Sequence, residues 1–271
     1  MLALAYSDDE GFVVIVSLLV WALTWFLWYA GLRAGSSLRR ERAPARVLAV
    51  MPLVAMAVLF VILRRWASFD VRDSSEYLFQ YVMLGAAWLG VALRFAPWLG
   101  LSARDDAAER GNPAAAVALA GAMLGLTLCY AGGNVGDGPG WWVVVFSSGL
   151  ATAVFFVSWA VFESRAHASD AVTIDRDLAA ATRHAAFFVS QGLILGRAAA
   201  GDWSSAGATL RDLSVNGWPA LVVLVLAIVL ERALKPSGDA PRRGLVACGF
   251  VPGALLLFAG LGWIVWLGEA P

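Results

Sequence analysis

The chain has 271 residues, of which 60% are apolar and only 15% charged, and its mean hydropathy is +0.72. A water-soluble domain carries about 45–50% apolar and about 25% charged residues, so the surplus excludes a surface that faces only water. Two cysteines exclude a disulfide-stapled scaffold, the apolar content excludes disorder, and twenty Lys and Arg against twenty Asp and Glu leave no global attraction to nucleic acid.

Residues 1–10 carry Asp8, Asp9 and Glu10 and no basic segment, which reads as a short external tail and not a signal peptide. Uncharged stretches near the length of about 20 residues that crosses a bilayer then follow one another. They cover residues 11–32, 47–63, 77–98 with Arg94 in the last turns, 113–133, 141–162, 179–200, 218–230 with a turn at either end, and 245–267. Pro113 suits a first helical turn, where a missing N–H costs nothing. The sixth stretch is the least apolar, because Arg183, His184 and Arg197 leave only residues 185–196 uncharged. The expected fold is all-α: a polytopic transmembrane bundle of about eight spans. It divides into an N-terminal hairpin (1–70), a central four-helix unit (76–203) and a C-terminal hairpin (211–271).

Lys and Arg are retained on the cytoplasmic side of a membrane. Loops after the first, third, fifth and seventh spans hold Arg33, Arg39, Arg40, Arg42 and Arg46; Arg94, Arg104 and Arg110; Arg165, Arg176 and Arg183; and Arg232, Lys235, Arg242 and Arg243. That is fifteen of the twenty cations, so both termini are expected outside the cytoplasm. Cys129 then falls toward the outer end of its span and Cys248 toward the inner end of another, too far apart to bond. Trp141, Trp142, Trp203 and Trp218 fall near outer boundaries, where amphipathic rings favour the interface. The pairs Gly121/Gly125, Gly192/Gly196 and Gly249/Gly253 have the small-xxx-small spacing that lets helices approach closely, within the chain or between copies in a homo-oligomer.

Two segments about 66 residues apart match: Glu109-Arg110-Gly111-Asn112-Pro113-Ala114-Ala115-Ala116 and Asp175-Arg176-Asp177-Leu178-Ala179-Ala180-Ala181-Thr182. Together with the Gly-rich helix after the first, the Trp-containing span and the charged loop between them, these resemble the YjfL-like inner-membrane proteins, the family described as domain of unknown function 350. The resemblance covers residues 76–203. It implies four helices in two similar, parallel hairpins, each with an Asn-Ala-Ala type of helix start. It implies no established activity, and a setting alongside envelope-stress components. This chain departs from the pattern at Leu178, where Asn would be expected, and by the hairpin added on each side.

Candidate functional residues lie mainly on the sixth span. His184, Phe188 and Gln191 fall on one helical face, and with Arg183 they could wall an ion or proton path. The plainer reading, which we favour, puts Arg183 and His184 in the first turns at the interface with Arg183 snorkelling. Glu163 ends the fifth span at a similar depth and is a geometrically plausible partner for Arg183; ordinary solvation of Glu163 and Glu231 is the alternative. Asn112 before Pro113 is a candidate helix cap. Gln80 and Arg94 in the third span are expected to bond neighbouring helices. With two histidines, no Cys/His cluster, no phosphate-binding loop and no nucleophile motif, neither a metal, a cofactor nor an enzymatic activity is expected. The leading expectation is a membrane-integrity or envelope-stress scaffold whose partners are the lipid bilayer and other membrane or peripheral envelope-stress proteins. The alternative is a small transporter or channel with a path between the central hairpins.

Overall fold

The computed structural model describes residues 6–36, 42–236 and 244–268. Helices dominate: α1 (Asp8–Ser36), α2 (Ala43–Trp66), a short α3 (Phe69–Asp73), and α4 (Ser75–Ala92) continued by a 3-10 stretch, Leu93–Leu99. A π-helical turn, Ala103–Glu109, leads to α5 (Pro113–Gly132), followed by α6 (Trp141–Ala166), the short α7 (Ala168–Thr173) and α8 (Leu178–Ala199). Then come α9 (Ala206–Gly217), α10 (Pro219–Leu234), a second π turn, Leu245–Phe250, and α11 (Val251–Leu267). Among the described residues seven helices are long and apolar enough to cross a membrane, or eight if the bent pair α9 and α10 counts as one span. The expected tail at residues 1–5, the C-terminal residues 269–271, and Arg39, Arg40, Arg242 and Arg243 lie outside the described residues.

The seventh span differs from the sequence expectation. The apolar stretch from residue 218 does not stand alone: α9 precedes it and meets α10 at 43°. Pro219 opens α10 and has no N–H to continue the ladder from α9, so the helix breaks there. The C-terminal end of α9 is tied down by Trp263, whose indole donates to the Asn216 carbonyl at 2.8 Å and whose ring meets Trp218 edge-on.

At the centre, α5 and α8 run parallel and touch backbone to backbone. A Cβ at Gly121 would run into the Ala185 backbone, one at Gly125 into the Phe188 carbonyl, one at Gly192 into the Gly125 carbonyl, and one at Gly132 into Gly196. Gly249 and Gly253 seat α11 and its π turn against Ala179, Thr182 and Ala186 of α8. The three small-residue pairs therefore serve close approach within the chain. One continuous buried cluster runs from Trp25 to Leu256 across all of these helices.

The two matched segments start α5 and α8 in the same way. Asn112 Oδ1 accepts from the amides of Ala114 (2.9 Å) and Ala115 (3.4 Å), as a cap should, while its Nδ2 donates to the Val172 carbonyl at 2.7 Å. Asp177 accepts from Ala179 (3.1 Å) and Ala180 (3.2 Å). The residue before each cap is left-handed: Gly111 at φ 59° and Arg176 at φ 55°. The cap of α8 is thus one position earlier than the alignment on Arg110 and Arg176 places it. Asp177 does the work sought at Leu178, and the Ala-Ala-Ala runs 114–116 and 179–181 come into register. At the far ends of the same helices, Val135 and Asp137 accept from the amides of Gly201 (2.8 Å) and Trp203 (2.7 Å), joining the loops after α5 and α8.

Prolines inside helices leave the carbonyl four residues earlier without its amide partner. Pro52 does this to Leu48, whose carbonyl accepts instead from the Trp28 indole at 3.3 Å. Pro252 does it to Cys248, and the substitute donor there builds the most polar part of the interior.

Candidate functional site

That donor is Arg183, in the second turn of α8. Its Nη1 donates to the Cys248 carbonyl, while Nε (2.9 Å) and Nη2 (2.7 Å) both donate to Oε2 of Glu231 on α10. Arg183 and Glu231 are 2% and 1% exposed, so the pair is closed off from any surrounding medium. His184 stands beside it, with Nε2 3.4 Å from Glu231 Oε2 and its ring edge-on to Phe162 at 5.0 Å. Among the described residues neither His184 Nε2 nor Glu231 Oε1 has a hydrogen-bond partner. Four elements build the site: α8 supplies the cation and imidazole, α10 the carboxylate, the π turn before α11 the carbonyl, and α6 the aromatic wall.

Several sequence expectations change here. Arg183 does not snorkel; it is buried and paired in place with Glu231, without any reach to the interface. Its partner is Glu231 and not Glu163. Glu163 instead turns back onto its own loop, accepting from Ser169 N–H at 2.9 Å and Ser169 Oγ at 2.7 Å across the start of α7. The reason is local: α6 ends at His167 in the left-handed conformation (φ 46°), and the carboxylate is needed to satisfy the amides exposed by that reversal. Glu231, expected at a solvated boundary, is buried where the last turns of α10 pack it against Arg183 and His184 of α8. Opposite charges inside spans call for one another, but Glu163 and Glu231 both adjoin the apolar part of their helices, so that signal calls for a carboxylate partner without choosing between them.

Gln191 is buried on the same face of α8 as His184, two turns away, and donates from Nε2 to the Ala220 carbonyl at 2.7 Å. It therefore fastens α8 to the start of α10, while Arg183 fastens it to the end. The structure groups Arg183 and His184 with Glu231, keeps Gln191 on the same helix pair, and leaves Glu163 and Asn112 in separate capping roles. Gln80 is buried with neither amide atom bonded, and Arg94 has no hydrogen bond or ion pair among the described residues, so neither makes the interhelical bond expected of it. The cleft described below is walled by none of Arg183, His184, Gln191 and Glu231. Among the described residues no group of three or more His, Cys, Asp or Glu converges as metal ligands would.

Chemically the arrangement is a desolvated ion pair with a neutral carbonyl and an imidazole at its edge. Such a pair holds helices in one register when complete and is strongly unfavourable when half-built. Comparison with protein-family models, with curated proteins and with solved structures gives no match.

Proposed function

We propose that this multi-pass membrane protein is a structural component of a bacterial inner membrane: a membrane-integrity scaffold of the envelope-stress type that the YjfL-like resemblance implies, with its arginine-rich end in the cytoplasm. The observation that carries the reading is the closure of the centre: α8 is locked to α5 by backbone contact and to α10 and α11 by the Arg183–Glu231–Cys248 network, leaving a rigid unit. The matched starts of α5 and α8, each with a left-handed residue, a capping side chain and three alanines, support a tandem pair of hairpins as its core. Exposed cations at one end, among them Arg94, Arg104 and Arg232, give a peripheral protein or an anionic membrane surface something to hold.

In-cell crosslinking from residues of that end, before and during envelope stress, should recover a reproducible membrane or peripheral partner. Failure to recover one under either condition overturns the scaffold reading. Single cysteines placed at Ser164 and at Gly138 should be labelled from opposite sides of the membrane, Ser164 from the cytoplasm. The transport alternative needs an aqueous path along His184 and Gln191, and both are 1% exposed in closed packing. Proteoliposomes of the parent and of His184→Ala should show the same basal leak; a flux that depends on His184 would reinstate transport.

A further inference from the structure

A cleft of about 450 Å³ opens at the arginine-rich end, between the last turns of α1, the 3-10 stretch after α4, and the π turn before α5. Its volume lies within the range of about 300–1,000 Å³ typical of small-molecule sites. Its two ends differ in chemistry. At the mouth stand Arg94, Arg104 and Ser102; the depth is lined by Leu32, Leu93, Leu101 and Leu119, all buried, and walled by Leu27. Arg94 is exposed and carries no hydrogen bond or ion pair among the described residues. Arg104 has only a loose neighbour, Asp105 Oδ1 at 3.8 Å, with both side chains more than 60% exposed (63% and 62%). An ion pair of that kind is readily exchanged for a stronger anion.

The backbone explains why two arginines face one apolar cleft. At Gly35 a Cβ would meet the Arg104 carbonyl, so α1 approaches the π turn closely enough to bring Arg104 over its own last turns. Gly100, left-handed at φ 86°, ends the 3-10 stretch and reverses the chain, which returns residues 102–104 to the side of Arg94. Leu27 lies one helical turn from Gly31, the residue level with Arg104 Cβ, so about 6 Å separates the basic mouth from the start of the apolar wall along α1.

We propose that this cleft binds an anionic glycerophospholipid, its headgroup phosphate between Arg94 and Arg104 and one acyl chain laid along Leu27 and Leu119. Basic pockets between membrane helices take such headgroups by the same combination of charge and apolar depth. Phosphate is the shared chemistry with free anions, and the depth of leucines selects the lipid over them.

The test uses the full chain in a zwitterionic detergent, titrated with phosphatidylglycerol, phosphatidylcholine or inorganic phosphate and read by native mass spectrometry and by quenching with a brominated acyl chain. The parent should bind phosphatidylglycerol at least tenfold more tightly than phosphatidylcholine. Arg94→Gln and Arg104→Gln should each lower that preference about fivefold, in line with the usual contribution of one cation near an anionic surface. Leu27→Trp, which fills the wall without changing charge, should weaken binding of both lipids. Arg165→Gln, an exposed arginine of the same end outside the cleft, should leave the preference unchanged. The proposal is overturned if the parent does not discriminate the two lipids, if Arg165→Gln acts as strongly as the cleft variants, or if inorganic phosphate displaces the lipid completely.

Discussion

Replacing Glu231 by Leu leaves the Arg183 guanidinium buried with the Cys248 carbonyl as its one remaining acceptor among the contacts described above. The two hydrogen bonds that vanish are charge-assisted, at 2.9 and 2.7 Å, and such bonds contribute about 1.5–3 kcal/mol each. Stranding one member of a buried pair costs about 3–5 kcal/mol, and an isolated charge deep in a bilayer costs about 2.5–3.5 kcal/mol on insertion scales. Glu231→Leu should therefore lower stability by about 3–5 kcal/mol. Arg183→Met should do the same, because it strands a carboxylate whose Oε1 already lacks a partner and also orphans the Cys248 carbonyl. The double variant removes both charges, and apolar replacement of a whole buried pair is often neutral or stabilising by about 1–4 kcal/mol. The orphaned carbonyl that remains costs about 1–3 kcal/mol, so the double variant should lose no more than about 3 kcal/mol. Reversible unfolding in mixed detergent micelles, followed by Trp fluorescence, measures all four corners of the cycle. The coupling should be about 3 kcal/mol or more; if the double variant loses the sum of the single losses, the ion pair is not what holds α8 to α10. Pairing Arg183→Met with Glu163→Leu is the control and should be additive, since Glu163 bonds only its own loop.

The close approach of α5 and α8 predicts that Gly192→Ala destabilises by about 1–3 kcal/mol, the usual cost of forcing atoms into a packed contact, because the new methyl meets the Gly125 carbonyl. Gly262→Ala, with open space around it, should instead gain about 0.5–1 kcal/mol of helix preference; thermal midpoints by size-exclusion with fluorescence detection separate the two. Asn112→Ala should cost about 1–2 kcal/mol and Asn112→Asp at least as much, since Asp keeps the acceptor for Ala114 but buries a carboxylate oxygen against the Val172 carbonyl. Asp177→Asn should be close to neutral and Asp177→Ala should cost about 1 kcal/mol, measured in the same unfolding assay.

What was legible in the sequence follows from which physical demands are local. Apolar runs long enough to cross hydrocarbon locate α1, α2, α4, α5, α6, α8 and α11, because lipid imposes that composition residue by residue. Asn112 is legible for the same reason, a cap being satisfied within three residues. The seventh run is legible as α10, Pro219–Leu234; what hydropathy does not show is α9 before it, a polar helix with Arg211, Asp212 and Asn216 that meets α10 at 43°. The partner of Arg183 is not legible from depth alone. Glu163 and Glu231 end their spans at comparable depth, and the choice between them depends on the left-handed end of α6, which claims Glu163, and on Pro252, which frees the Cys248 carbonyl beside Glu231. Neither event leaves a mark in the hydrophobic pattern.

The weakest span by sequence is the most central in the structure, and the two facts have one cause. Hydropathy reports what a helix needs where it meets lipid. In α1 and α11 only 22% and 28% of the most apolar stretch is buried within the chain, so nearly every outward position must be apolar. In α8 the figure is 72% and in α5 it is 78%, so their side chains answer to other helices instead. α5 meets that condition with Gly and Ala, which permit contact at backbone distance. α8 meets it with Arg183, His184, Ser190 and Gln191, of which Arg183 and Gln191 satisfy carbonyls on α11's π turn and α10. Charge inside a span is tolerable only where neighbours complete it, so the polar helix has to be the surrounded one. The same logic sets apart Arg94, an exposed cation that stands at the rim of a cleft and not in the core, with no ion pair among the described residues.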